Sequence, residues 1–145
     1  MKKILFTLVV LMALILIGMP TLNAQSFPHF IYQWYDPPQD CECSMVGTAY
    51  WRVDAALINE CGEDFYTEWE GYDIVSESSG QVEFYPDWSC DDPSNEPCYL
   101  VTGIIRKLCP DGHGGFIVQC TGKFNELKSC YSLMHTNITL VVEWD

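Results

Sequence analysis

Aromatic side chains that lie beside carboxylates are the residues of this chain best suited to hold a ligand. Flat aromatic faces stack against sugar rings, and neighbouring carboxylates accept hydrogen bonds from sugar hydroxyls. Residues 32–36, 65–70 and 84–88 combine the two types. We therefore predict a ligand-binding strip, formed by Trp34, Tyr35, Trp69 and Trp88. The alternative is that these side chains fill the core, since large aromatics dominate the cores of small domains.

A second candidate site is the acidic loop that ends at Glu96. Carboxylate oxygens are the hard ligands that Ca²⁺ prefers, and the loop offers Asp87, Asp91, Asp92 and Glu96. Their spacing does not match the calcium loop of helix–loop–helix proteins. The alternative is a solvated loop, because clustered carboxylates usually face water. Calcium is the one cofactor that the sequence suggests.

Two further pairs of residues have types that suit catalysis. Glu68 and Glu70 lie two apart on a predicted strand, so they share a face and resemble the acid and base of a glycosidase. His113 near Asp111 resembles a base with its orienting carboxylate, but both lie in a glycine-rich turn and no motif places a nucleophile. Motifs for serine hydrolases, zinc proteases, phosphate loops and dinucleotide sites are missing. We therefore favour binding over catalysis, with a small secreted hydrolase as the first alternative.

The cysteines predict a disulfide-stapled domain. There are eight: Cys41, Cys43, Cys61, Cys90, Cys98, Cys109, Cys120 and Cys130. Their spacing lacks the paired knuckles of a zinc site, and an even number in an exported chain predicts up to four disulfides. Cys41 and Cys43 are too close to bond to each other without strain, so each is expected to pair elsewhere. A bond between Cys90 and Cys98 would close the acidic loop, and the other pairings remain open.

The first residues of the chain predict export. Lys2 and Lys3 precede an apolar run from Ile4 to Met19, and a small residue, Ala24, follows. These are the parts of a secretory signal peptide over residues 1–24. An uncleaved anchor is the alternative, but the run is shorter than the ~20 residues that a spanning helix needs. We predict one domain over residues 25–145 with no membrane span, in a secreted, periplasmic or cell-surface location.

The charge of that domain narrows the choice of partners. Residues 25–145 keep five of the seven basic residues and all twenty acidic ones, a net charge near −15. Such a domain repels phosphate backbones, so we predict that nucleic acid is not a partner. The leading hypothesis is a non-catalytic binding or structural domain that recognises a glycan or a protein at or outside the cell surface. A secreted inhibitor or toxin-like effector that blocks a basic cleft is a further alternative.

Alternating apolar and polar residues predict that the domain is built from strands. The expected strands are 27–35, 44–54, 64–75 with a break at Gly71, 81–85, 99–108, 116–120 and 138–144. Residues 55–60 suit either a short helical turn or a strand, and the glycine-rich residues 110–115 predict a hairpin turn. Short strands separated by turns predict an all-β fold, a small antiparallel sandwich or barrel.

Overall fold

The computed structural model describes residues 29–90, 96–135 and 137–145. The predicted signal peptide lies outside the described residues. Eight strands are present in those ranges, with a 3-10 helix (Gln39–Cys41) and an α-helix, α1 (Cys130–His135). The strands are β1 (Phe30–Gln33), β2 (Tyr50–Asn59), β3 (Tyr66–Ser76), β4 (Gln81–Phe84), β5 (Pro97–Pro110), β6 (Phe116–Ser129), β7 (Ile138–Thr139) and β8 (Glu143–Trp144).

The strands form two sheets. The smaller has the order β4-β1-β7, and the larger has the order β3-β2-β5-β6-β8. Neighbouring strands are antiparallel, apart from the short parallel pair of β1 and β7. Side chains from both sheets form one buried cluster, as expected for two sheets packed face to face. The predicted all-β, sandwich-like fold is confirmed.

Strand β2 shows why the core lies between the sheets. Trp51, Val53, Ala55 and Leu57 are buried, while the residues between them are partly exposed. This alternation is that of a strand with one buried face. Residues 55–60, which suited either a turn or a strand, therefore continue β2 as far as Asn59.

A row of very small residues crosses the inner face of the larger sheet. Ala55 pairs with Gly71 on one side and with Gly103 on the other, and Gly103 pairs with Phe124. A Cβ atom on Gly103 would overlap the Phe124 ring and the backbone carbonyl of Asp54. One on Gly71 would lie 2.6 Å from Cζ2 of Trp69. The predicted break at Gly71 is wrong, because the strand continues there and the missing side chain makes room for an indole ring.

All eight cysteines form disulfides. The pairs are Cys41–Cys120, Cys43–Cys109, Cys61–Cys98 and Cys90–Cys130. The prediction of four bonds is confirmed, and Cys41 and Cys43 each pair elsewhere as expected. The suggested Cys90–Cys98 bond is wrong: Asn59 pairs with Tyr99 across β2 and β5, which brings Cys61 beside Cys98 instead.

The C-terminal residues do not form the single strand that was predicted. Ile138 and Thr139 join β1 in the smaller sheet, whereas Glu143 and Trp144 join β6 in the larger one. The alternation was interpreted correctly as far as side-chain direction goes, since Ile138 and Leu140 are buried and Trp144 packs against the core. The chain simply changes sheet between the two short strands.

One cation lies on the buried face of the larger sheet. Lys107 of β5 is only 5% exposed. Its ammonium group forms an ion pair with Glu77, which is half exposed, and it lies 5.6 Å from the centre of the Trp51 ring. The ion pair with Glu77 allows the charged end of Lys107 to lie within the otherwise apolar core between the sheets.

The row of small residues can be tested by adding one methyl group. We expect Gly103→Ala to lower the free energy of unfolding by about 1–3 kcal/mol, because the new atom overlaps a ring and a backbone carbonyl. Gly62→Ala is the control, since nothing lies within 4 Å of that position. Guanidinium unfolding of the oxidised protein measures both. Equal stabilities would contradict the close packing at Gly103.

The buried ion pair predicts that removing the charge of Glu77 and removing that of Lys107 change the free energy of unfolding by different amounts. Glu77→Gln leaves the Lys107 ammonium buried without its counter-charge, so we expect a loss of about 1–2 kcal/mol in unfolding free energy. Lys107→Met removes the buried charge and leaves Glu77 hydrated, so we expect a change close to zero. Unfolding curves of the two variants at neutral pH provide the measurement. A larger loss for Lys107→Met would show that the pair itself stabilises the fold.

Candidate functional site

A trough of about 990 Å³ crosses the outer face of the larger sheet. Every strand of that sheet contributes to it. Its lining residues are Asp54, Ala55, Ala56, Glu70, Gly71, Tyr72, Thr102, Gly103, Ile104, Lys123, Phe124, Asn125 and Glu143. Four of them are the paired residues Gly71, Ala55, Gly103 and Phe124, and eight are their neighbours along the chain. Glu143 is the exception. The trough is therefore the outer side of that row.

The depth of the trough follows from which side chains point outward. Ala56 pairs with Glu70 on β3 and with Thr102 on β5, so two small side chains form the floor. Larger side chains stand at its two ends: Glu70 and Tyr72 on β3, and Lys123, Asn125 and Glu143 on β6 and β8. A concave surface results from side-chain size at a few paired positions.

Tyr72 is the exposed aromatic residue that lines this site. Its ring is 64% exposed, and the guanidinium of Arg52 lies over it, 4.7 Å from the ring centre. Arg52 is itself held by Asp54, to which its Nη2 and Nε donate at 2.8 Å and 3.0 Å. Arg106 donates from Nη1 to the same carboxylate at 2.6 Å. These contacts link three strands and hold the Tyr72 ring in place.

The electrostatics of Asp54 follow from these two arginines. The hydrogen bonds from Arg52 lower its pKa below the usual range, with smaller help from Arg106 and against the effect of burial. The same hydrogen bonds raise the pKa of Arg52. Both carboxylate oxygens of Asp54 accept from guanidinium groups. Asp54 is therefore an ionised anchor for the arginines, and its oxygens are already engaged.

Charge is unusually balanced around the trough. Three cations meet four carboxylates there: Arg52, Arg106 and Lys123 against Asp54, Glu70, Glu143 and Asp145. The rest of residues 25–145 holds the other sixteen acidic residues and two basic ones. Most of the domain's excess negative charge thus belongs to residues outside this group.

The predicted aromatic strip does not lie on one surface. Trp34 and Trp88 are 3% and 7% exposed and belong to the core. Trp69 is partly buried and its ring packs 4.9 Å from that of Phe84. Tyr35 alone is exposed, at 62%. The physical reason is the strand period: Trp34 follows Phe30 and Tyr32 toward the core, so its neighbour Tyr35 points away from it.

The other predicted site residues are spread over the surface. Asp87 and Glu96 are exposed, while Asp91 and Asp92 lie outside the described residues. Within the described ranges, no group of three or more metal-ligating side chains comes together, so the calcium site stays a prediction. Glu68 lies at a bulge of β3 and accepts a 2.9 Å hydrogen bond from Asn59.

Asp111 and His113 belong to the hairpin turn between β5 and β6. The carboxylate of Asp111 accepts hydrogen bonds from the backbone N–H groups of His113 and Gly115, both at 2.8 Å. These bonds lower its pKa. The Asp111 carboxylate therefore orders the turn, and it contacts His113 through the backbone N–H group.

Comparisons with protein-family models, curated proteins and solved structures find no significant match to this chain. Its function must therefore be argued from the geometry of its sites. In the part of the chain that the structure describes, no helix is long and apolar enough to cross a membrane. The four disulfides indicate an oxidising environment.

The lowered pKa of Asp54 predicts a pH dependence. Its folded-state pKa lies below the unfolded value of about 3.9, so its stabilising effect is complete above that value and is lost as the pH falls through the folded pKa. We expect the stability difference between the native protein and Asp54→Asn to be constant near neutrality and to shrink below about pH 4. Denaturant unfolding from pH 7 to pH 2 measures it. A difference that stays constant down to pH 2 would contradict the ion-pair anchor.

Proposed function

We propose that this protein is an exported, non-catalytic binding domain that holds a neutral glycan in the trough. One observation carries the proposal: the exposed Tyr72 ring, held by Arg52, borders a trough with hydrogen-bonding groups on both sides. A sugar presents an apolar ring face and a rim of hydroxyls, which match a flat aromatic ring and polar neighbours.

The lining offers both kinds of hydrogen-bonding partner. Lys123 donates, Glu70 and Glu143 accept, and the Thr102 hydroxyl and the Asn125 amide do both. A hydroxyl donates one hydrogen bond and accepts others, so a mixed set of this kind suits a polyol better than a uniformly charged ligand. The volume of about 990 Å³ lies at the upper end of typical ligand sites.

Charge favours a glycan without acidic groups. A domain with a net charge near −15 repels anionic polymers at long range. The near balance of charge at the trough leaves no strong field to overcome that repulsion or to attract a polycation. A neutral ligand is not repelled by the domain and needs no strong field at the trough.

The arrangement of carboxylates supports binding rather than hydrolysis. A glycosidase needs two free carboxyl groups roughly 5–10 Å apart. Glu70 on β3 and Glu143 on β8 are separated by four strand spacings of about 4.8 Å each, or about 19 Å. Asp54 is closer to Glu70, but both of its oxygens are bonded to arginines. Asp145 lies near Glu143 but is paired with Lys123. Glu70 and Glu143 are therefore too far apart for this chemistry, and Asp54 and Asp145 are engaged by cations.

The proposed location is outside the cytoplasm. An oxidising compartment suits four disulfides, and the predicted signal peptide at residues 1–24 would direct the chain there. A secreted, periplasmic or surface position would also bring the domain into contact with polysaccharides.

The test compares two tyrosines of similar exposure on opposite sheets. The oxidised protein is screened against immobilised neutral polysaccharides, and affinity for those retained is measured by calorimetry. We expect Tyr72→Ala to weaken binding at least about tenfold, or about 1.4 kcal/mol, because it removes the ring at the trough. Tyr35→Ala should leave affinity unchanged, since Tyr35 follows β1 of the smaller sheet and does not line the trough.

Thermal unfolding confirms that both variants fold. A loss of binding in Tyr35→Ala with none in Tyr72→Ala would place the site on the opposite sheet and contradict the proposal. Failure of the native protein to bind any neutral polysaccharide would also contradict it. Release of reducing ends, abolished by Glu70→Gln, would instead indicate the hydrolase.

A further inference from the structure

The trough extends from one edge of the larger sheet to the other. Its lining includes residues of all five strands, and the two outermost strands of the described sheet are β3 and β8. Since an edge strand has no further strand beside it, neither end of the trough is closed by the sheet. The row of small residues beneath it runs perpendicular to the strands, because it follows the pairing of Gly71, Ala55, Gly103 and Phe124.

We propose that the trough binds an internal segment of an extended polysaccharide chain, laid across the strands. This inference rests on the proposed function and adds the length and the direction of the ligand. Sugar rings in an extended chain repeat at nearly the spacing of neighbouring strands, about 5 Å. The distance of about 19 Å from β3 to β8 therefore accommodates about four rings.

An open trough selects a chain over a single sugar. A site for a small ligand encloses most of the ligand's surface, whereas a single sugar in this trough would touch one side and leave most of the volume empty. Recognition of a chain end would need a closed wall against the terminal ring. Both ends of the trough lie at sheet edges, so no further strand of the described sheet lies beyond Tyr72 at one end or Glu143 at the other.

The two ends contribute different interactions. At the β3 end, the Tyr72 ring offers a stacking surface beside the Glu70 carboxylate. At the β8 end, Lys123, Asn125 and Glu143 offer hydrogen bonds. Between them, Ala56 and Thr102 form the low part of the floor. Asp54 and Ile104 lie beside it, in the row of paired residues that joins Tyr72 to Glu143. A ligand that reaches both ends gains both types of contact.

The first experiment is a length series. Oligosaccharides of two to six rings, prepared from a neutral polysaccharide that the protein retains, are titrated by calorimetry. We expect affinity to rise at least about tenfold from two rings to four and to level off beyond that. Borohydride reduction of the terminal ring of the hexasaccharide should leave its affinity unchanged.

The second experiment tests the direction of the chain. Tyr72→Ala and Glu143→Ala lie at opposite ends of the trough, and we expect each to weaken hexasaccharide binding several-fold. A disaccharide cannot reach both ends, so it should respond to one of the two substitutions only. Glu63→Ala, in the exposed loop before β3, is the matched carboxylate control and should have no effect.

The outcomes separate this inference from the proposed function. A disaccharide that binds as tightly as the hexasaccharide, or a reduced end that abolishes binding, would overturn mid-chain recognition while glycan binding stands. Hexasaccharide affinity that is insensitive to Glu143→Ala would overturn the path across the strands. If no neutral polysaccharide is retained at all, the proposed function fails, and this inference fails with it.

Discussion

Close packing of aromatic rings against a row of very small residues is the constraint on which the rest of the structure depends. The Phe124 ring occupies the space that a side chain on Gly103 would take, and the Trp69 ring does the same at Gly71. The core between the sheets is filled from these rings and from Tyr32, which lies 6.1 Å from Phe124. On the opposite face, the neighbouring residues Ala56 and Thr102 form the floor of the trough. Core packing and surface shape therefore depend on small residues at adjacent positions of the same strands, one set on the inner face and the other on the outer face.

The distribution of charge on the larger sheet is the second feature that determines the surface around the trough. A chain with so few cations uses two of them, Arg52 and Arg106, on a single carboxylate in the middle of a sheet. Exposed ion pairs of this kind add little to stability, so their clearer effect is to fix side-chain positions. The result is an ordered Tyr72 ring beside a trough whose charges nearly cancel.

Local patterns in the sequence were enough to predict most of the strands and the number of disulfides. Alternation along 49–54 correctly indicated the direction of each side chain, since burial has a period of two in a strand. The predicted strand 44–54 begins too early, because residues 44–48 are exposed and precede β2, and the predicted strand 116–120 ends nine residues before β6 does. Alternation does not say which sheet a strand joins, which is why residues 138–144 were predicted as one strand and are in fact two. The many tryptophans likewise indicated large side chains that need space, but their number did not indicate that this space lies in the core.

The trough could not be predicted, because its lining comes from five strands that lie far apart along the chain. Asp54 and Lys123 come together only through the pairing of β2, β5 and β6, and pairing depends on contacts that no local pattern records. A weak signal did exist: Arg52, Asp54 and Arg106 are charged residues in apolar strands. Most charged side chains at such positions point away from the core and meet partners there, although Lys107 points inward.

The connectivity of the disulfides has a consequence for the protein's resistance to proteolysis. The bonds Cys41–Cys120, Cys43–Cys109, Cys61–Cys98 and Cys90–Cys130 overlap along the chain. Every peptide bond between Cys41 and Cys130 is spanned by at least one of them. A protease that cuts once anywhere in that stretch therefore releases no fragment. The nicked molecule remains a single covalent unit, because its pieces are still linked by disulfides.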